Sequence, residues 1–151
     1  MNRDERHPWD DDEPTTPYEW LRTARVLVAE DDDSLRRMIA TRLRADGCQV
    51  IEAASGDEAL DVVSANEDGS SGIHALDLVV IDVRMPGVSG LDVVRLMRAW
   101  QWPTPVLVVT AYPSPEVFEQ AIALDANVLP KPFVLSRLSR VAGDTLAGKV
   151  H

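Results

Sequence analysis

The feature that most constrains this chain is an alternation. From Arg25 onward, short apolar runs rich in Val, Leu and Ile are separated by longer amphipathic segments. A run of four or five apolar residues without polar alternation reads as a strand covered on both faces, as in a parallel sheet flanked by helices. Such runs stand at Arg25 to Ala29, Gln49 to Glu52, Leu78 to Ile81, Val106 to Val109 and, more weakly, Asn127 to Leu129. Five strand–helix pairs are too few to close an eight-stranded barrel. The expectation is therefore an α/β fold built on an open, doubly wound five-stranded parallel sheet with five helices.

The helices carry start and stop signals. The first, capped by Asp33 or Ser34, sets Leu35, Met38, Ile39 and Leu43 on one face, with Arg36, Arg37, Arg42 and Arg44 largely on the other, and stops at Gly47. A capping box, Ser55 with Glu58, opens the second, which carries Ala59, Leu60 and Val63. The third runs from Ser89 to about Trp100, and the fourth starts at Ser114-Pro115 and carries Val117, Ala121 and Leu124. The last spans Val134 to Ala147. Between Ser64 and Asp77 no period is visible and Gly69, Ser70, Ser71 and Gly72 intervene, so a loop is expected, with His74 in it assigned no chemistry.

Composition bounds the rest. Residues 1–24 hold seven acidic and three basic residues and no period, and are expected to form a disordered acidic tail in which Trp9, Tyr18 and Trp20 are the unusual members; the folded domain is expected over 25–148. A net charge of −10 repels a phosphate backbone, so nucleic-acid binding by this chain is not expected. One cysteine, Cys48, excludes an intramolecular disulfide, and no apolar stretch reaches the length of a membrane span. The acidic start does not read as a signal peptide, and the expected setting is cytoplasmic, away from the membrane.

In open α/β sheets ligands bind outside the carboxyl ends of the strands. There stand Glu30, Asp31, Asp32 and Asp33 after the first strand, Asp82 after the third, Thr110 after the fourth and Lys131 after the fifth. Singly, each has a plain reading: a helix cap, a strand-end hydroxyl, a solvated base. Together they are harder to dismiss, because two carboxylates about 4 Å apart repel by roughly 4 kcal/mol even at an effective dielectric of 20. Such a cluster calls for a cation, and hard oxygen donors with room for waters and a phosphate oxygen suit Mg²⁺. Lys131 supplies a second, compact positive charge.

These residues also resemble a family. Val26-Leu27-Val28-Ala29-Glu30-Asp31-Asp32-Asp33, Asp82-Val83-Arg84-Met85-Pro86-Gly87-Val88-Ser89-Gly90, Val108-Val109-Thr110-Ala111 and Leu129-Pro130-Lys131-Pro132-Phe133 are similar, in order and spacing, to the receiver domain of bacterial two-component response regulators. The resemblance covers about residues 25–147 and implies a flavodoxin-like strand order of 2-1-3-4-5. It implies that Asp82 takes a phosphoryl group from a partner's phosphohistidine to give an aspartyl phosphate, without a separate general base. It implies Mg²⁺ held by Asp31, Asp82 and the backbone carbonyl of Arg84, with Glu30 acting through water. Thr110 and Lys131 are implied as the phosphate-binding switch pair. In this family an aromatic residue three positions before the lysine commonly reports the switch; here it is Val128, and the segment from Leu124 to Leu129 is about one residue short.

The implied partners are a sensor histidine kinase or phosphotransfer protein, and a downstream protein met through the face of the fourth helix, fifth strand and fifth helix. A homodimer is compatible with the same face. The chain is expected to be a phosphoacceptor rather than an enzyme, with only self-phosphorylation and self-dephosphorylation chemistry. Two other readings are a receiver fragment of a longer DNA-binding regulator and a degenerate, constitutive interaction module; retention of Asp82, Thr110 and Lys131 together counts against the latter. A flavin carrier of this architecture is disfavoured because Glu30 to Asp33 would repel the cofactor phosphate. A phosphatase with an aspartate nucleophile is disfavoured because Arg84 stands where a second aspartate would act as general acid.

Overall fold

The computed structural model describes residues 21–67 and 76–148. Strands β1 (Arg25–Ala29), β2 (Gln49–Ala53), β3 (Leu78–Asp82), β4 (Val106–Thr110) and β5 (Ala126–Pro130) alternate with helices α1 (Asp33–Ala45), α2 (Gly56–Glu67), α3 (Gly90–Ala99), α4 (Pro115–Ala123) and α5 (Leu135–Leu146). The strands pair in parallel in the order β2-β1-β3-β4-β5. This is the doubly wound, flavodoxin-like sheet expected from the sequence.

The strand pleat explains why the runs are apolar throughout. Val26, Val28, Leu78, Val80, Leu107 and Val109 face one core with Ile39 and Leu43 of α1 and Leu138 and Val141 of α5. Leu27, Ala29, Val79, Ile81, Val106 and Val108 face the other with Ala59 and Val63 of α2, Val94 and Met97 of α3 and Ala121 of α4. Side chains alternate between faces, and both faces are covered, so no position in β3 or β4 is left for a solvated residue. Each fully buried Val, Leu or Ile contributes about 1.5–3 kcal/mol.

Several local expectations are corrected. Asp32, not Asp33 or Ser34, caps α1: its extended backbone lets its carboxylate accept from the Leu35 N–H at 3.0 Å. Met38 is 51% exposed, because the inward stripe of α1 follows Ile39, Ala40 and Leu43 and Met38 falls to its side. Helix α2 continues through residues 64–67, where a loop was expected; Ser64, Ala65, Asn66 and Glu67 contain no breaker, and the first glycine is Gly69. Residues 68–75, including His74, lie outside the described residues, as do residues 1–20 with Trp9, Tyr18 and Trp20. Strands β3 and β4 each run one residue further than expected, so Asp82 and Thr110 are themselves the last strand residues.

The tail boundary also moves. Leu21, placed by the sequence in the tail, is 0% exposed and packs in the α1–α5 core, and the Leu21 carbonyl accepts from Cys48 Sγ at 3.2 Å. The Thr23 N–H donates to the Gly47 carbonyl at 2.9 Å, so residues 21–24 are sewn to the turn that ends α1. Gly47 there adopts φ +105°, a backbone that side-chain-bearing residues avoid. Burial pushes the Cys48 thiol up to about 12, with the charges of Asp46 and Asp77 adding to it, so it stays protonated at neutral pH. Among the described residues, no helix is long and apolar enough to cross a membrane.

Leu21→Ala is expected to destabilise the chain by about 2–5 kcal/mol in urea unfolding, the range for a buried leucine. A change within the ~0.5 kcal/mol typical of surface substitutions would return residues 21–24 to the tail.

Candidate functional site

The carboxyl ends of β1, β3, β4 and β5 converge on one acidic pocket. Glu30 directly follows β1, and its backbone N–H donates to the Ala53 carbonyl at 3.0 Å, which extends the sheet ladder by one residue and turns the side chain inward. The residue is 1% exposed. Asp82, 5% exposed, ends β3, where its four preceding residues are all buried. Asp31 is exposed at the pocket rim. One carboxylate oxygen from each of Glu30, Asp31 and Asp82 lies within 4.8 Å of the others.

Two buried carboxylates this close require a cation, and Lys131 provides it. Its ammonium donates to Glu30 Oε1 at 2.8 Å and to Asp82 Oδ2 at 3.1 Å. Burial by itself would lower the Lys131 pKa, but the Glu30 hydrogen bond and the Asp82 charge together outweigh it and hold the ammonium above its ordinary range. The remaining lone pairs are met by backbone: the Asp32 N–H donates to Glu30 Oε2 at 3.1 Å, and the Arg84 N–H donates to Asp82 Oδ1 at 3.3 Å. Desolvation, with the neighbouring Glu30 carboxyl adding to it, raises the Asp31 pKa, and Lys131 offsets part of this.

Local sequence fixes this geometry. Thr110 is buried at the end of β4, and the Lys131 N–H donates to its carbonyl at 2.7 Å, so the threonine and the lysine are tied through the backbone. The Thr110 hydroxyl oxygen accepts from the Tyr112 N–H at 3.0 Å, which leaves its own O–H free to donate. After Asp82 the chain turns through Met85-Pro86-Gly87 into α3, capped by Ser89, whose hydroxyl accepts from the Asp92 N–H at 3.1 Å. Gly90 is needed at the first turn of α3 because a Cβ there would lie 1.9 Å from the Asp82 carbonyl oxygen. Asp31, Arg84 and Met85 line the same shallow pocket with Val83, Pro86 and Ser89.

The structure thus brings together Glu30, Asp31, Asp82, Thr110 and Lys131, with Arg84 at the rim. Glu30 is the most buried carboxylate of the set and a direct partner of Lys131. Val128 is half-buried against the α2–α4 core, an aliphatic residue where an aromatic was noted as missing. Two arginine side chains make contacts that the sequence does not show. Arg36 donates to the Glu30 carbonyl at 2.9 Å and pairs with Asp33 at 2.7 Å and Glu52 at 3.2 Å, bracing the start of the acidic loop. The Arg84 guanidinium lies over the Tyr112 ring, 4.1 Å from its centroid. The Arg36–Asp33 pair is an i,i+3 contact within α1, but the contacts to Glu30, Glu52 and Tyr112 join separate elements, and spacing signals none of those.

Comparison with known proteins agrees with this geometry. A family described as response regulator receiver domain matches residues 26–142. Response regulator MprA of Mycobacterium sp. (strain KMS) is 39% identical over 117 residues, which are 76% of this chain and 46% of that protein. The chain therefore spans about half the length of the curated relatives it matches. The solved structure of Vibrio cholerae chemotaxis protein CheY4 superposes with a TM-score of 0.67 at 31% identity, covering 79% of this chain and 95% of that one. The receiver domain from hybrid histidine kinase CckA superposes with a TM-score of 0.65 at 32% identity, covering 82% and 99%.

Gly90→Ala is expected to perturb the pocket through the Asp82 carbonyl as well as destabilise the fold, since backbone must move to admit the methyl group. Amide resonances of residues 82–84 should shift. Unchanged resonances there would show that α3 moves away from the strand instead.

Proposed function

The chain belongs to the receiver-domain family of two-component response regulators, and from that membership we propose that Asp82 is its phosphoacceptor. The observation that carries this reading is Lys131 bridging Glu30 and Asp82 at the strand ends, with the Thr110 hydroxyl alongside on β4. In the transfer, the N–P bond of a partner's phosphohistidine breaks as a P–O bond forms to an Asp82 carboxylate oxygen. The bonding pair returns to the imidazole, which takes a proton. The attacking carboxylate is held by Lys131 and needs no hydroxyl proton removed, so the chain supplies no general base.

The donor set fits Mg²⁺: three carboxylates with oxygens within 4.8 Å are hard donors, and the pocket is open at Asp31. Asp31, Asp82 and the Arg84 carbonyl would hold the ion, with Glu30 acting through water. When bound, it neutralises charge developing on the phosphoryl oxygens. Phosphoryl transfer is catalysed chiefly by positioning and charge neutralisation, and this chain's part is to fix Asp82 at the end of a fully buried strand. Phosphorylation gives Asp82 a larger charge and further acceptor oxygens. Lys131 then exchanges its Asp82 contact for a phosphoryl oxygen, and the Thr110 O–H donates to another.

The donor in this reading is a sensor histidine kinase or a phosphotransfer protein, and the setting is cytoplasmic. The output passes through the face of α4, β5 and α5, where Phe118 and Ile122 are exposed, to a downstream protein or a second copy of the chain. The chemistry is limited to acceptance and loss of the phosphoryl group.

With acetyl phosphate and Mg²⁺, the intact mass should rise by one phosphoryl group that is labile in base, and Asp82→Asn should abolish the gain. An unmodified wild-type mass contradicts the proposal. Asp31→Ala should weaken Mg²⁺ affinity more than Asp33→Ala, because Asp33 is engaged by Arg36 rather than gathered with the acidic trio. Equal losses would remove Asp31 from the ligand set.

A further inference from the structure

The Arg84–Tyr112 stack joins two loops that the sheet does not connect. Arg84 lies two residues beyond the phosphoacceptor and Tyr112 two beyond the switch threonine. Each is tethered by its own backbone to the residue that phosphorylation acts on: the Arg84 N–H to Asp82 Oδ1 at 3.3 Å, and the Tyr112 N–H to Thr110 Oγ1 at 3.0 Å. The side chains then meet, guanidinium over ring, 4.1 Å from the centroid.

Packing does not account for this contact. Tyr112 is 59% exposed and belongs to neither core. Arg84 lines the pocket and makes no ion pair among the described residues. A five-donor planar cation thus rests on an exposed ring beside a site that is to gain a phosphoryl group. A guanidinium binds phosphate bidentately and more strongly than it binds a solvated aromatic face. The Thr110 hydroxyl can donate to a phosphoryl oxygen while still accepting from the Tyr112 N–H, so the ring's side-chain partner, Arg84, is the contact that phosphorylation competes for. Val128, half-buried and aliphatic, offers no ring to do the same work.

We propose that Arg84 and Tyr112 form a latch across the pocket mouth that phosphorylation of Asp82 opens, the guanidinium passing from the ring to the phosphoryl oxygens and the freed Tyr112 ring becoming the surface signal. This rests on Asp82 as phosphoacceptor, and the test separates the two claims. The chain has two tyrosines, so the 151-residue Tyr18→Phe protein grown with 3-fluorotyrosine carries one ¹⁹F probe, at Tyr112. Its resonance is followed with Mg²⁺ before and after acetyl phosphate, with intact mass measured on the same sample. The expected result is a mass gain accompanied by loss of the resting resonance and appearance of a new one, with no change in Asp82→Asn. In Arg84→Ala the resonance should leave the resting position before any phosphorylation. A mass gain with an unmoved resonance, or an unmoved resonance in unphosphorylated Arg84→Ala, overturns the latch and leaves the phosphoacceptor reading intact. No mass gain overturns both.

Discussion

The Lys131 ammonium between Glu30 and Asp82 is the contact on which the rest of the site depends. It joins residues 101 and 49 positions apart in sequence, at the ends of β5, β1 and β3. Two carboxylates almost without solvent would repel strongly without it. A buried ion pair of this kind is weak evidence for stability, because desolvation offsets the attraction. Its effect is to place a movable cation where a phosphoryl group would arrive.

The sheet makes that arrangement rigid on one side and adjustable on the other. Asp82 closes a strand whose residues are all buried, between two helical layers, so its backbone is held in place. Thr110 ends β4 under the same constraint, but the loop after it begins at once with the exposed Tyr112. Lys131 is only half-buried and reaches in from the edge strand. Charge added at a fixed point can therefore be answered only by the side chains and loops around it. In the proposed reading, that asymmetry is what would let a strand end act as a switch rather than a static anion site.

How much of this the sequence shows depends on whether the signal is local. The strands are legible because burial on both faces demands unbroken apolar runs, and Asp82 and Lys131 stand out because each follows one. Helix caps are nearly as legible: Ser114 caps as expected, and Ser55 accepts from the Glu58 N–H while Glu58 reaches back to the Ala54 N–H; Ser89, read as the first residue of its helix, is in fact its cap. Met38 misleads because an apolar residue beside the buried stripe of α1 looks the same as one within it. Leu21 misleads because a single apolar residue after an acidic stretch has no period, yet the α1–α5 core has a place for it. The depth of Glu30, the brace formed by Arg36 and the stack of Arg84 on Tyr112 arise where separate elements meet, and local patterns carry no trace of them.

The most direct test of the central claim is to locate the phosphoryl group. Borohydride reduces an aspartyl phosphate to homoserine, so peptide mapping of the phosphorylated, reduced chain reads the acceptor by position. Homoserine at residue 82 alone is the predicted result. Reduction at residue 31 or 30, or at none of the three, would contradict the assignment of Asp82.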